Sequence, residues 1–211
     1  MPIKIYVWLP HGDNVGHSSM TLSDGTHISW WPSNKELKKK SDLKSMISSP
    51  ASFNQTLDED IDSEGNIQPN GKYTLPDGFI DEDAISKWWG SFRSNGVYRV
   101  LDQNCCHVVF KALEAGGAWK FITDEDVKSR GKTLLKPIDI DTLVKKLQKS
   151  ITIQIRQMTH MMLMFRTTPR ASPRMDLSAQ SSVLCVVRSE TQVIFSSTSK
   201  GTGLVIFTCT V

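Results

Sequence analysis

GVYRVLDQNCCHVVFKALEAGG, residues 96–117, carries the pattern from which the fold is read. Residues 97–101 are rich in β-branched and aromatic side chains, the composition of a short strand. Asp102, Gln103 and Asn104 interrupt it with turn chemistry, and Asn104 stands where it can cap a helix. From Cys105 onward Val108, Val109, Ala112, Leu113 and Ala115 recur at helical spacing until Gly116-Gly117 stops the helix. The chain reads strand, tight turn, helix, with a cysteine in the first helical turn. There the unpaired N–H groups and the positive end of the helix dipole favour a thiolate, which is the nucleophilic form of cysteine. Cys105 directly follows the cap and is expected to face a site, while Cys106 is expected to turn into the core.

Upstream, residues 2–9 alternate Ile3, Ile5, Val7 and Leu9 against Lys4, Tyr6 and Trp8, the period of a strand. A polar, glycine-punctuated loop, 10–16, leads into two strand-like runs, 17–23 and 26–32, on either side of Asp24-Gly25, a strong hairpin signal. A three-residue or bulged turn puts His17, Ser29 and Trp31 on one face, whereas a strict two-residue turn puts His17 opposite Ser29. Residues 33–48 are lysine-rich and read as a solvated helix or loop. Residues 49–77, full of turn residues and carboxylates, read as surface chain, so that an insertion spans about 33–80. Its acidic run, 58–65, lacks the glutamate that an EF-hand needs at its twelfth position and is expected to be a solvated loop.

Downstream, Asp81 caps a helix over 81–93 whose apolar stripe is Ile85, Trp88, Trp89 and Phe92. Residues 119–122 read as a short strand or turn, Thr123 to Gly131 as a short helix, and 139–148 as a last helix entered through Pro137. Residues 1–150 thus form one α+β domain. After Ser150 the pattern degrades into a methionine-rich stretch, a linker-like 169–179 and three strand-like runs at 183–187, 193–196 and 204–211. Residues 151–211 are an atypical basic tail, poorly packed or weakly β; His160, Cys185 and Cys209 receive no role.

The formal charge of +3 is too small to call for nucleic acid. It is uneven: residues 151–211 hold six Lys or Arg against Asp176 and Glu190, a net of +4, leaving 19 basic and 20 acidic side chains before them. Four cysteines, two of them adjacent, do not make a disulfide framework. With no secretory pattern and no apolar run long enough to span a bilayer, the expectation is a cytoplasmic protein without a transmembrane segment.

A nucleophilic cysteine needs a base. Of His11, His17, His27, His107 and His160, the fourth lies two residues past Cys105 and points about 200° away on a helix. His11 sits in a loop and His27 beside the hairpin turn, which leaves His17, just after Gly16, as the candidate general base. A metal site on Cys105, Cys106 and His107 has no second ligand pair to complete it, so neither metal nor cofactor is expected.

Gly16-His17 opening a strand, the Asp24-Gly25 hairpin, and far downstream Asn104-Cys105 opening a helix that ends Ala115-Gly116-Gly117 together resemble the permuted NlpC-type papain-like superfamily. Its members include lecithin:retinol acyltransferase-like enzymes and PPPDE-type isopeptidases. The histidine precedes the cysteine, as that permuted order requires. Over residues 1–150 the resemblance implies a papain-like fold, a small antiparallel sheet packed on a cysteine-bearing helix. It also implies Cys105 as nucleophile and His17 as base. Aligning the hairpins puts Ser29 at the orienting position, with His27 the substitute if the register slips. Trp30, Trp31 and Asn104 would line the substrate cleft. The implied activity is a cysteine hydrolase (thiol peptidase, amidase or isopeptidase) working through a thioester on a peptide or protein. The alternatives are a lipid acyltransferase or phospholipase acting on an acyl lipid, and an inactive papain-like binding module.

Overall fold

The computed structural model describes residues 2–34, 39–42, 44–122 and 134–167, together with three strands in the last part of the chain. The chain divides into two compact units, Met1–Met161 and Met162–Val211. Among the described residues of the first unit are small antiparallel sheets and four α-helices, a mixed α+β architecture.

The main sheet has the order β3-β2-β1-β6, from β1 (Ile3–Trp8), β2 (His17–Thr21), β3 (His27–Ile28) and β6 (Gly71–Leu75). Its register pairs Ile5 with Met20 and Met20 with Ile28, so the two faces are chemically distinct. Ile3, Ile5, Val7, Met20, Leu22, Ile28 and Leu75 lie on the face built into the hydrophobic core. His17, Ser19, Thr21, His27, Ser29 and Trp31 alternate onto the other. The hairpin turns through three residues, with the Leu22 N–H on the Thr26 carbonyl and the pair Thr21–His27 beyond it. That register puts His17, Ser29 and Trp31 on one face.

A second sheet, β4 (Trp31–Pro32), β5 (Ser49–Ser52) and β7 (Val97–Tyr98), ties the end of the hairpin to the approach of the cysteine helix. Helix α1 (Leu57–Ser63) follows β5; α2 (Glu82–Phe92) and α3 (Cys105–Ala115) carry the aromatic and aliphatic core stripes. Asp81 caps α2 through the Ala84 N–H, and α2 buries Ile85 and Trp89 as its spacing predicts. The 97–101 strand is shorter than its composition suggests: after Tyr98 the chain folds into a turn closed between Arg99 and Gln103. Residues 118–121 form a 3₁₀ turn, and the helix expected between Thr123 and Gly131 lies outside the described residues.

Three expectations are corrected. The stretch 49–77 is not surface insertion, because β6 completes the main sheet beside β1, and α1 brings Asp60 to full burial. Within 33–48, Met46 is also buried in the core. The last helix, α4 (Pro137–Thr167), runs far beyond 148. Its buried stripe of Ile140, Leu143, Val144 and Leu147 continues to Ile151. No glycine or proline falls between 138 and 168, so nothing local stops the helix at Ser150. Tyr73 donates to Asp141, and Lys145 pairs with the same carboxylate at 2.6 Å, clipping α4 to β6.

In the second unit, β8 (Val183–Val187), β9 (Gln192–Ser197) and β10 (Val205–Thr210) form an antiparallel sheet with β9 in the centre. These are the three strand-like runs of the sequence. The linker-like 169–179 lies outside the described residues.

Candidate active site

Helix α3 begins where the sequence places it. Asn104 adopts an extended backbone and its side-chain oxygen accepts from the His107 N–H at 3.0 Å. Its Nδ2 donates to the carbonyls of Val100 at 2.8 Å and Leu135 at 3.0 Å. Asn104 is therefore committed on both ends to holding the helix start and the turn before it. It is buried, 5% exposed. Cys105 is 7% exposed and Cys106 1%, so Cys105 is the more open of the two.

The two sulfurs lie 3.9 Å apart. The hydrogen bond from Cys106 is the strongest influence on Cys105 and lowers its pKa; burial opposes it. The charge and hydrogen bond of His17 and the Ser18 backbone N–H act with Cys106, leaving Cys105 well below the ordinary thiol range. Burial first, then the neighbouring sulfur, pushes Cys106 well above that range. These opposite shifts favour Cys106 as the donor and Cys105 as the more readily ionised thiol. Two adjacent residues of one type are shifted in opposite directions by their surroundings.

His17 opens β2 immediately after Gly16, whose φ of 81° is left-handed. A Cβ on Gly16 would strike the Trp8 carbonyl oxygen and lie 3.0 Å from the Pro10 nitrogen, so the approach of β2 to β1 requires glycine here. The His17 ring is 1% exposed and stacks on Trp31 with centroids 4.0 Å apart, while Trp8 tilts against it at 5.6 Å. Its Nε2 lies 3.1 Å from Ser29 Oγ and 3.5 Å from Asp60 Oδ2. The ring also interacts with Cys105 through its charge and a hydrogen bond.

Burial by itself would lower the pKa of His17. The Asp60 charge beside it, and then that of Cys105, outweigh burial and push it up to about 10. For Asp60 burial would raise the pKa, and the charge of His17 with the hydrogen bonds of His17 and His27 holds it well below the carboxylate range. These shifts all favour a buried chain of alternating charge, from thiolate through imidazolium to carboxylate.

Asp60 is the residue that sequence reasoning missed. It sits on α1 at 0% exposure, not in a solvated loop. Its Oδ1 accepts from Ser29 Oγ at 2.6 Å, Trp31 Nε1 at 2.9 Å and Asn54 Nδ2 at 2.8 Å. Its Oδ2 accepts from His27 Nε2 at 2.8 Å, and His27 Nδ1 in turn faces Thr21 Oγ1 at 2.9 Å. A buried carboxylate costs several kcal/mol unless its lone pairs are occupied, and here donors surround both oxygens.

The sequence held the signal: Thr56-x-x-Glu59 is a helix-start pattern, and Thr56 does cap α1 through the Glu59 N–H. Leu57, Asp60, Ile61 and Glu64 then share one side of the helix at i, i+3, i+4, i+7, which is the face turned inward.

Ser29 lies where the hairpin alignment puts it, but as a link and not as the last member. It accepts from His17 Nε2 and from Trp31 Nε1 at 2.9 Å and donates its own hydrogen bond to Asp60. His27 is not a substitute for Ser29; it holds the opposite oxygen of Asp60. Of the two tryptophans expected at the cleft, only Trp31 reaches the site. Trp30 alternates onto the core face, 1% exposed, against Trp89 and Phe92 with centroids 5.9 and 5.0 Å away. No group of three or more metal-ligating side chains that could hold a metal ion occurs among the described residues. Nor is any helix among them long and apolar enough to cross a membrane.

Residues 77–165 match the family model of the IcsB middle domain. That similarity takes in the Cys105 helix and leaves out the strand of His17 and the helix of Asp60. No curated protein and no solved structure matched the chain.

Proposed function

We propose that this chain is a cysteine-dependent hydrolase of amide, peptide or isopeptide bonds, with the papain-like arrangement of the permuted NlpC-type superfamily. Cys105 is its nucleophile, His17 its acid and base, and Asp60 its orienting carboxylate, acting partly through Ser29. The observation that carries this reading is the buried contact of His17 with the Ser29–Asp60 pair, supported by the electrostatic coupling of His17 to Cys105. It supplies the orienting group whose lack would favour an inactive binding module.

The Cys105 thiolate attacks the carbonyl carbon, and negative charge develops on the carbonyl oxygen, which the N–H groups of the α3 helix start stabilise. The His17 proton passes to the leaving amine as the C–N bond breaks, leaving a thioester on Cys105. His17, now neutral, takes a proton from water. The hydroxide adds to the thioester, and the thiolate leaves as the acid forms, restoring the ion pair. Asp60 keeps its charge throughout and holds the imidazole in one orientation, as in other triads.

Treatment with p-nitrophenyl acetate, a generic acyl donor, followed by peptide mapping tests this. An acetyl thioester on Cys105 is expected in the wild type and lost in His17→Ala. Acetylation spread equally over Cys105, Cys185 and Cys209 would remove the proposal.

A further inference from the structure

His27, which holds one oxygen of Asp60, also lines a cleft of about 430 Å³ together with Thr26, Phe53, Gln55, Trp89 and Arg93. Its walls are aromatic: Phe53 is 38% exposed and meets Trp89 edge-on with centroids 5.9 Å apart. Its rim is cationic. Arg93, the residue capping the C-terminal end of α2, is exposed and makes no ion pair among the described residues. Its guanidinium instead sits 5.8 Å from the centre of the Phe53 ring. The cleft also runs along Gly25, Thr26 and His27, at β3, the edge strand of the main sheet.

An exposed phenyl ring and a guanidinium without a carboxylate, side by side in one cleft, define the ligand they would satisfy. Apolar surface asks for an aromatic or branched side chain; the planar fork asks for a carboxylate. A single cation matches a single negative charge, not a nucleoside polyphosphate, whose recognition needs several cations or a cradle of backbone N–H groups. The volume suits two or three side chains. Strand β3 offers an edge along which extended main chain can lie.

We infer that this cleft is a docking site for an extended acidic peptide segment, placing an aromatic side chain on Phe53 and Trp89 and the adjacent carboxylate on Arg93. The site is distinct from Cys105 and does not depend on acyl chemistry there.

The test titrates acetyl-Phe-Asp-amide into the full chain while the indole N–H resonance of Trp89 is followed by NMR. Saturable movement is expected, with about five-fold weaker binding of acetyl-Phe-Asn-amide, the factor of one partly solvated ion pair. Arg93→Gln is expected to weaken the Asp peptide by that same factor and to leave the Asn peptide unchanged; Phe53→Ala is expected to weaken both. Equal binding of the two peptides to the wild-type chain overturns the proposal without any variant. So does the absence of saturable movement at Trp89, or an Arg93→Gln chain, folded by its melting curve, that still prefers the Asp peptide.

Discussion

Asp60→Asn is the substitution that asks most of the site. It keeps the shape and one acceptor oxygen but removes the charge and turns the other acceptor into a donor. His17 is held at about 10 against an ordinary 6.5 while burial pulls the other way. That elevation is worth about 5 kcal/mol, shared between the Asp60 and Cys105 charges. Without the Asp60 share, burial draws the His17 pKa down toward neutrality and the imidazolium–thiolate pair loses population near pH 7. Iodoacetamide alkylation of Cys105, read residue by residue by mass spectrometry, measures that population. The wild-type rate is expected to hold a plateau from mildly acid pH upward, because loss of the His17 proton near 10 leaves the thiolate in place. In Asp60→Asn the lower limb should move to higher pH by one unit or more, with the neutral-pH rate down at least ten-fold.

The same change should cost about 3 kcal/mol of stability, because it breaks a buried charge pair and leaves His27 Nε2 facing a donor. Asp60 is depressed in the folded state, so its stabilisation is present above its unfolded value of 3.8 and disappears as pH falls below that. The variant should therefore lose the acid-side dependence of unfolding as well. An unchanged alkylation profile in a folded Asp60→Asn chain would refute the electrostatic reasoning.

Ser29→Ala removes the link and leaves His17 3.5 Å from Asp60; alkylation of Cys105 at pH 7 should slow about ten-fold. Cys106→Ala removes the strongest influence depressing the Cys105 pKa, so the lower limb of its alkylation profile should move to higher pH. At pH 8 the rate should change little. Gly16→Ala forces a side chain into left-handed backbone against the Trp8 carbonyl and should cost about 2 kcal/mol or more, seen as a lower melting temperature.

The features legible in the sequence rest on local rules with one clear meaning. The Asn104 cap, the Cys105 helix and the glycine stop are contained within a few residues of chain and emerged unchanged. The face shared by His17, Ser29 and Trp31 needed only the turn length, which Asp24-Gly25 left between two values. Asp60 was hidden by its neighbours: four carboxylates in five residues look solvated by composition, and only the helical phase of Leu57 and Ile61 shows which one turns inward. Strand β6 was obscured in the same way, because Tyr73 and Leu75 are too short a run to stand out among turn residues. The true length of α4 depended on Ile151 and Ile155 continuing a stripe that the polar residues around them interrupt. Trp30 and Trp31 illustrate the general difficulty. Adjacent in sequence and alike in chemistry, they face opposite sides of the chain where β3 leads into β4, and only register separates core from site.

The most direct measurement is the ultraviolet thiolate absorbance of the wild-type chain minus that of Cys105→Ala, followed across pH. The difference is expected to be fully present at neutral pH and to persist into the acid range, where an ordinary cysteine is protonated. If it emerges only near pH ~8.5, where free thiols titrate, Cys105 and His17 do not form an ion pair and the account fails.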